Sequence, residues 1–246
     1  MIDQLGKKTG PSPPFYPTET FVNSLKNTLE SYGFQVDYYE CENTTVNFYK
    51  SLLARGYGSY GLTIFRVHSA IIEGQNLVGL FTNETYVEAK YHYEGLVKAY
   101  FFEEPNKYYF GIAPRFIEAY GSFENTIVIL MGCNGLRYNT TAEAFVNKGA
   151  KAVIGWDGLV SANHTDQATE YLIQRLVANR WTVKAAVDAT MEVIGPETTY
   201  GYNTILKYYP PPGDFTIPTA VSILSYRIFG VIVTLTKEEL KTGSGI

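Results

Sequence analysis

The sequence predicts a single α/β domain with a mostly parallel central sheet flanked by helices, and three observations predict it. The run Thr126-Ile-Val-Ile-Leu-Met131 is continuously apolar, as a parallel strand covered on both faces must be. A helix-like segment at 141–148 and a second apolar strand at 152–156 follow it, with a connection long enough for parallel neighbours. At 246 residues the chain has material for one good-sized core. Residues 1–246 therefore read as one domain, with an N-terminal loop at 1–17 and C-terminal edge strands within 214–246.

In chain order, Gly10-Pro-Ser-Pro-Pro-Phe-Tyr-Pro17 is a proline-rich loop. A helix over 18–32 places Phe21, Leu25 and Leu29 on one face and stops at Gly33. Residues 34–39 read as a strand, and Thr44 or Thr45 caps a second helix carrying Val46, Phe48, Tyr49, Leu52 and Leu53. A glycine-rich stretch at 56–61 leads into Leu62-Thr-Ile-Phe-Arg-Val-His68, a buried strand that ends on a histidine. Residues 77–82 predict a short strand and 86–102 a β-hairpin, followed by a strand at 108–112 and a helix at 114–120. The central strand 126–131 delivers Gly132-Cys133-Asn134-Gly135. After the strand 152–156 come helices at 165–178 and 182–193, a proline-rich loop at 208–213, and one or two edge strands within 221–235.

The composition narrows the class of partner. A formal charge of −4 gives no excess of positive charge for nucleic acid to find. No apolar run approaches the roughly 20 residues that span a bilayer, and the first ten residues lack the core of a signal peptide. Asn-x-Thr sequons at Asn43, Asn83, Asn139 and Asn163 lean towards an extracellular location. Cys41 and Cys133, the two cysteines, fall in different contexts and are expected as free thiols.

In an open parallel sheet, functional groups collect beyond the carboxyl ends of the strands. His68 and Cys133 both stand there, each behind an apolar strand and each followed by small residues. An imidazole beside a thiol can take its proton as the sulfur attacks and return a proton to the leaving amine. The turns at Gly132-Cys133 and His68-Ser69 offer backbone N–H groups for an oxyanion. Taken singly, Cys133 also reads as a small buried hydrophobe and His68 as a satisfied strand-end histidine. His164, in Asn163-His-Thr-Asp166, is a rival base beside a helix cap, and His92 stands among tyrosines as a surface residue. Three histidines without ligand spacing predict no metal site. Gly132-Cys-Asn-Gly-Leu-Arg137 lacks the Gly-Lys-Ser/Thr ending of a phosphate loop, and no Gly-x-Ser-x-Gly elbow is present.

The segments Ile64-Phe-Arg-Val-His68-Ser69 and Ile127-Val-Ile-Leu-Met-Gly-Cys133 resemble the histidine and cysteine blocks of the caspase-like clan of cysteine peptidases, which includes caspases, gingipains, legumains, clostripain and separase. Thr141-Ala-Glu-Ala-Phe-Val-Asn-Lys-Gly-Ala-Lys-Ala-Val-Ile-Gly-Trp156, followed by His164-Thr-Asp-Gln, is similar to the region after the cysteine in gingipain- and CHAT-type members. The resemblance covers 18–210. It implies a caspase-like three-layer sandwich, a Cys133–His68 dyad, a protein or peptide substrate, and no metal or organic cofactor.

Two positions depart from the pattern. Ser69 stands where the family usually has glycine, which alters the oxyanion donor on that side. Met131 stands where members that cleave after basic residues carry an aspartate. Asp157, just past the strand 152–156, is the acid expected nearest the pocket, as a reader of a basic side chain or as a solvated loop aspartate. Trp156 is expected as a wall of the cleft or as a core aromatic. Two other functions fit the same fold class: a non-catalytic caspase-like or CHAT-like module that binds protein, and a flavodoxin-like sensor that holds a small ligand at the strand ends.

Overall fold

The structure is a computed structural model that describes residues 1–5, 18–54, 60–100, 106–217, 224–228 and 231–235. The proline-rich loop at 10–17 and most of the glycine-rich stretch at 56–61 lie outside these residues. In chain order the elements are β1 (Ile2–Asp3), α1 (Thr18–Ser31), α2 (Val46–Ala54), β2 (Leu62–Arg66), β3 (Ser69–Ile71), β4 (Val78–Thr85), β5 (Leu96–Tyr100), β6 (Tyr108–Ile112) and α3 (Pro114–Tyr120). They continue with β7 (Ile127–Leu130), α4 (Asn139–Asn147), β8 (Ala152–Trp156), α5 (Ala162–Val177), α6 (Val183–Val193), β9 (Leu206–Tyr209), β10 (Leu224–Ile228) and β11 (Val231–Leu235).

The central sheet has the order β1-β2-β7-β8-β9. Its first four strands run parallel and β9 closes the edge antiparallel to β8. Alternation along the strands divides the core in two. Ile64, Ile127, Ile129, Met131, Ile154 and Trp156 face α1, α5 and α6, whereas Phe65, Val67, Val128, Leu130 and Val153 face α2, α3 and α4. Every residue of β7 is buried, which is why its sequence is apolar without alternation. Side chains cap three of the helices: Thr45 Oγ1 accepts from Phe48 N, Ser161 Oγ from His164 N and Thr182 Oγ1 from Ala185 N, so that α5 starts at Ala162, ahead of the expected 165. No helix among the described residues is long and apolar enough to cross a membrane.

A second, antiparallel sheet of order β3-β4-β6-β5 grows from the end of β2. Only Val67 and His68 separate β2 from β3, so His68 is the corner at which the chain changes sheets. Leu80, Phe110 and Ile112 of this second sheet complete the core beneath α2, α3 and α4.

Four expectations need correction. Residues 34–39 form no strand; they run outside β1 and touch it through the single bridge Ile2↔Tyr39, because β1 occupies the parallel slot beside β2. The hairpin expected within 86–102 is instead β5 with β6, since Tyr91 and Tyr93 turn to pack on Phe110 and Tyr120. The segment before the prolines, assigned to a loop from 208, is β9, with Leu206 buried against the α6 side. The terminal β10 and β11 pair with each other as a separate hairpin rather than at an edge of the central sheet.

Candidate active site

Strands β2 and β7 are neighbours at the centre of the sheet, with partners from Leu62↔Ile127 to Phe65↔Leu130, each pair 65 positions apart. Past the strand ends Val67 and Gly132 remain in close approach, and His68 then turns into the second sheet with its ring 6.2 Å from that of Phe81. Ile64 and Arg66 lie on the face that carries Ile129 and Met131, and Cys133 packs against the core of that face. His68 and Cys133 thus both follow the carboxyl ends of adjacent parallel strands.

Contacts hold these ends in close approach. Ser69 Oγ donates to Cys133 O at 2.5 Å, and His68 N donates to Gln4 Oε1 at 2.9 Å. A Cβ at Gly132 would stand 2.3 Å from both Ser69 Oγ and Val67 O, so only glycine fits at that crossing. Asn134, at φ +59°, turns the chain directly after Cys133, and its N–H donates to Gly158 O at 2.7 Å. Bonds from Phe81 N to His68 O and from Ile72 N to Leu77 O flank the pair Ser69↔Leu80. That pair is of the non-hydrogen-bonded kind, and the Ser69 N–H points away from β4.

Burial sets the charges. It is the main cause that lowers the His68 imidazole to about 4, with the Arg66 guanidinium adding to it. Burial also pushes the Cys133 thiol above its ordinary value, against the hydrogen bonds that Sγ makes. Cys133 Sγ lies 3.5 Å from both the N and the O of Val160. At neutral pH both groups rest uncharged, the imidazole without its second proton and the thiol with its own.

Beneath His68 lies a buried ion network. Arg66 donates from Nε and NH2 to the two carboxylate oxygens of Asp166, each at 2.8 Å, and from NH1 to Asp3 Oδ1 at 3.0 Å. Arg66 and Asp3 have no exposed side chain. The network ties the end of β2 to β1 and to the second turn of α5.

The other expected residues are placed as follows. The Asp157 carboxylate accepts from Ile205 N at 2.9 Å and pairs with Lys207 Nζ at 2.7 Å, which commits it to β9. Trp156 is 1% exposed, donates from Nε1 to Thr165 Oγ1 and meets the His164 ring. His164 Nε2, at the start of α5, stands 3.2 Å from Gly195 O. His92 is exposed. Both cysteines are free, Cys41 fully buried and Cys133 partly exposed.

Sequence reasoning missed Glu197, and the segment Ile194-Gly-Pro-Glu-Thr-Thr199 carries no local signal for it. Its carboxylate accepts from Ser161 N at 2.9 Å, Ser161 Oγ at 2.5 Å and Thr199 N at 2.7 Å. Burial acts to raise its pKa, and these bonds outweigh it and hold the acid at about 2. Glu197 thereby locks the 197–204 turn to the loop that supplies Val160. Among the described residues no group of three or more His, Cys, Asp and Glu side chains is arranged to hold a metal ion. No protein-family model matches the chain, and no curated protein matches it significantly.

Proposed function

We propose that this chain is a caspase-like cysteine peptidase in which Cys133 attacks the scissile carbonyl and His68 moves the proton. The observation that supports the reading is that His68 and Cys133 follow the carboxyl ends of the adjacent parallel strands β2 and β7, whose ends are tied by the bond from Ser69 Oγ to Cys133 O. Neighbouring strands are about 4.8 Å apart, within reach of a side-chain proton transfer.

His68 is neutral and can accept, so the thiol proton passes to the imidazole as Sγ bonds to the carbonyl carbon. The carbonyl electrons move onto oxygen, where the N–H groups of Cys133 and Ser69 are the donors at hand. Collapse of this intermediate expels the amine, which leaves with the proton from His68. Water, deprotonated by His68, then cleaves the thioester, releases the acid and restores the thiol. Ser69 has a second role through its hydroxyl, which fastens the histidine corner to the Cys133 carbonyl.

One observation favours a non-catalytic protein-binding module: the thiol is up-shifted and already occupied by Val160. Cleavage of a mixed fluorogenic peptide library by wild type, Cys133→Ala and His68→Ala separates the two. Cleavage by wild type alone supports the peptidase. Equal behaviour of all three refutes it and leaves the binding module.

A further inference from the structure

The register that pairs β2 with β7 continues across the sheet. Partners between β7 and β8 run to Leu130↔Gly155, and those between β8 and β9 from Val153↔Tyr209 to Trp156↔Leu206. Extended past the strand ends, they align Cys133 with Gly158 and Gly158 with Thr204. Close contacts bear out this row: Asn134 N donates to Gly158 O, and a Cβ on Gly158 would lie 2.4 Å from Thr204 Oγ1. Thr204 in turn bridges to Glu197. Loop 157–161 thus stands beside Cys133 on the side away from β2, and loop 197–205 packs against it one strand further out.

The side chains these loops expose carry no charge: the large Leu159, Tyr200, Tyr202 and Ile205, with Thr198, Thr199 and Asn203. Leu159 is 40% exposed, Ile205 39% and Tyr200 47%, although each sits next to a site that holds its neighbours in place. Ionisation of the Tyr200 hydroxyl is opposed first by burial and then by Cys133 and Glu197, as befits a ring close to the nucleophile. The two acids of these loops have no carboxylate to offer a basic side chain. Asp157 is held by Lys207 and Ile205 N, and Glu197 by Ser161 and Thr199. A cationic substrate group would have to break one of these pairs, while an apolar group needs none broken.

We propose, resting on the peptidase reading, that the loops 157–161 and 197–205 form the subsite for the residue preceding the scissile bond, and that it takes an uncharged aromatic or large aliphatic side chain. Leu159, Tyr200 and Ile205 are its specificity-determining residues. Glu197 is a positioning residue that holds the two loops together.

The test is a set of fluorogenic peptides that differ only at that residue, Phe, Leu, Arg or Asp, cleaved by wild type and by Leu159→Asp and Tyr200→Ala. Wild type is expected to favour Phe or Leu over Arg by about 10-fold or more in kcat/KM, with Leu159→Asp reversing or erasing the preference. Because the readout is a ratio within one preparation, any loss of folded protein cancels. Cleavage that favours Arg or Asp, or a Phe-to-Arg ratio unchanged in both variants, overturns the subsite and leaves the peptidase standing. No cleavage of any peptide by wild type overturns the peptidase reading and the subsite with it.

Discussion

The protonation of His68 distinguishes a neutral dyad from a thiolate–imidazolium pair, and the structure sets the size of the effect. With the imidazole held at about 4 by burial and Arg66, some 90% of His68 is neutral at pH 5. A histidine at 6.5 would be only about 3% neutral there. If neutral His68 is the base, kcat/KM at pH 5 should be about 0.9 of its pH 7 value, against about 0.04 for an unperturbed histidine. Proton NMR titration of the three imidazoles, with His68 assigned by His68→Ala, measures the same quantity without needing turnover. The neutral dyad predicts a His68 midpoint near 4 that Cys133→Ala leaves in place. A midpoint above 6.5 that falls in Cys133→Ala would refute the reasoning, because it would show an imidazolium stabilised by thiolate. Stability carries the same signature with a definite sign. The folded state binds fewer protons than the unfolded between pH 4 and 6.5, so stability is full above 6.5 and falls as pH drops towards 4, by at most about 3 kcal/mol from this group.

Three further outcomes follow from single contacts. Arg66→Met leaves Asp3 and Asp166 buried without their cation and should cost about 3–5 kcal/mol in urea unfolding. A change below 1 kcal/mol would mean that the network is solvated. Gly132→Ala forces a Cβ against Val67 O and Ser69 Oγ and should destabilise by about 1–3 kcal/mol. Adding Ser69→Ala should recover only part, because the carbonyl clash remains; full recovery would show that Ser69 alone sets the approach. Glu197→Gln weakens charged hydrogen bonds to Ser161 and Thr199, at a cost of about 2 kcal/mol at pH 7. The wild-type advantage should hold above pH 4.5 and fade as pH falls towards 2, where the native carboxylate protonates. An advantage constant across that range would contradict the assignment.

What the sequence by itself determined is local. Apolar continuity marked β7 and β8, helical spacing and caps marked α1, α2, α5 and α6, and the strand that ends at His68 was plain, because these patterns arise from neighbours along the chain. The placement of His68 and Cys133 at carboxyl ends was legible for the same reason. Only the tertiary structure decided that β2 and β7 are adjacent, so that His68 and Cys133 follow neighbouring strand ends, and that the chain turns at His68 into a second sheet. Segments such as β1, β3 and β9 are too short for periodicity and exist because a neighbouring strand offers hydrogen bonds. Charge was decided there too. Asp157 reads as a free loop acid until Lys207 arrives from β9, Glu197 reads as nothing until Ser161 meets it, and His68 and Cys133 keep ordinary pKa values until the fold removes their water, since desolvation and pairing are properties of what surrounds a residue in space.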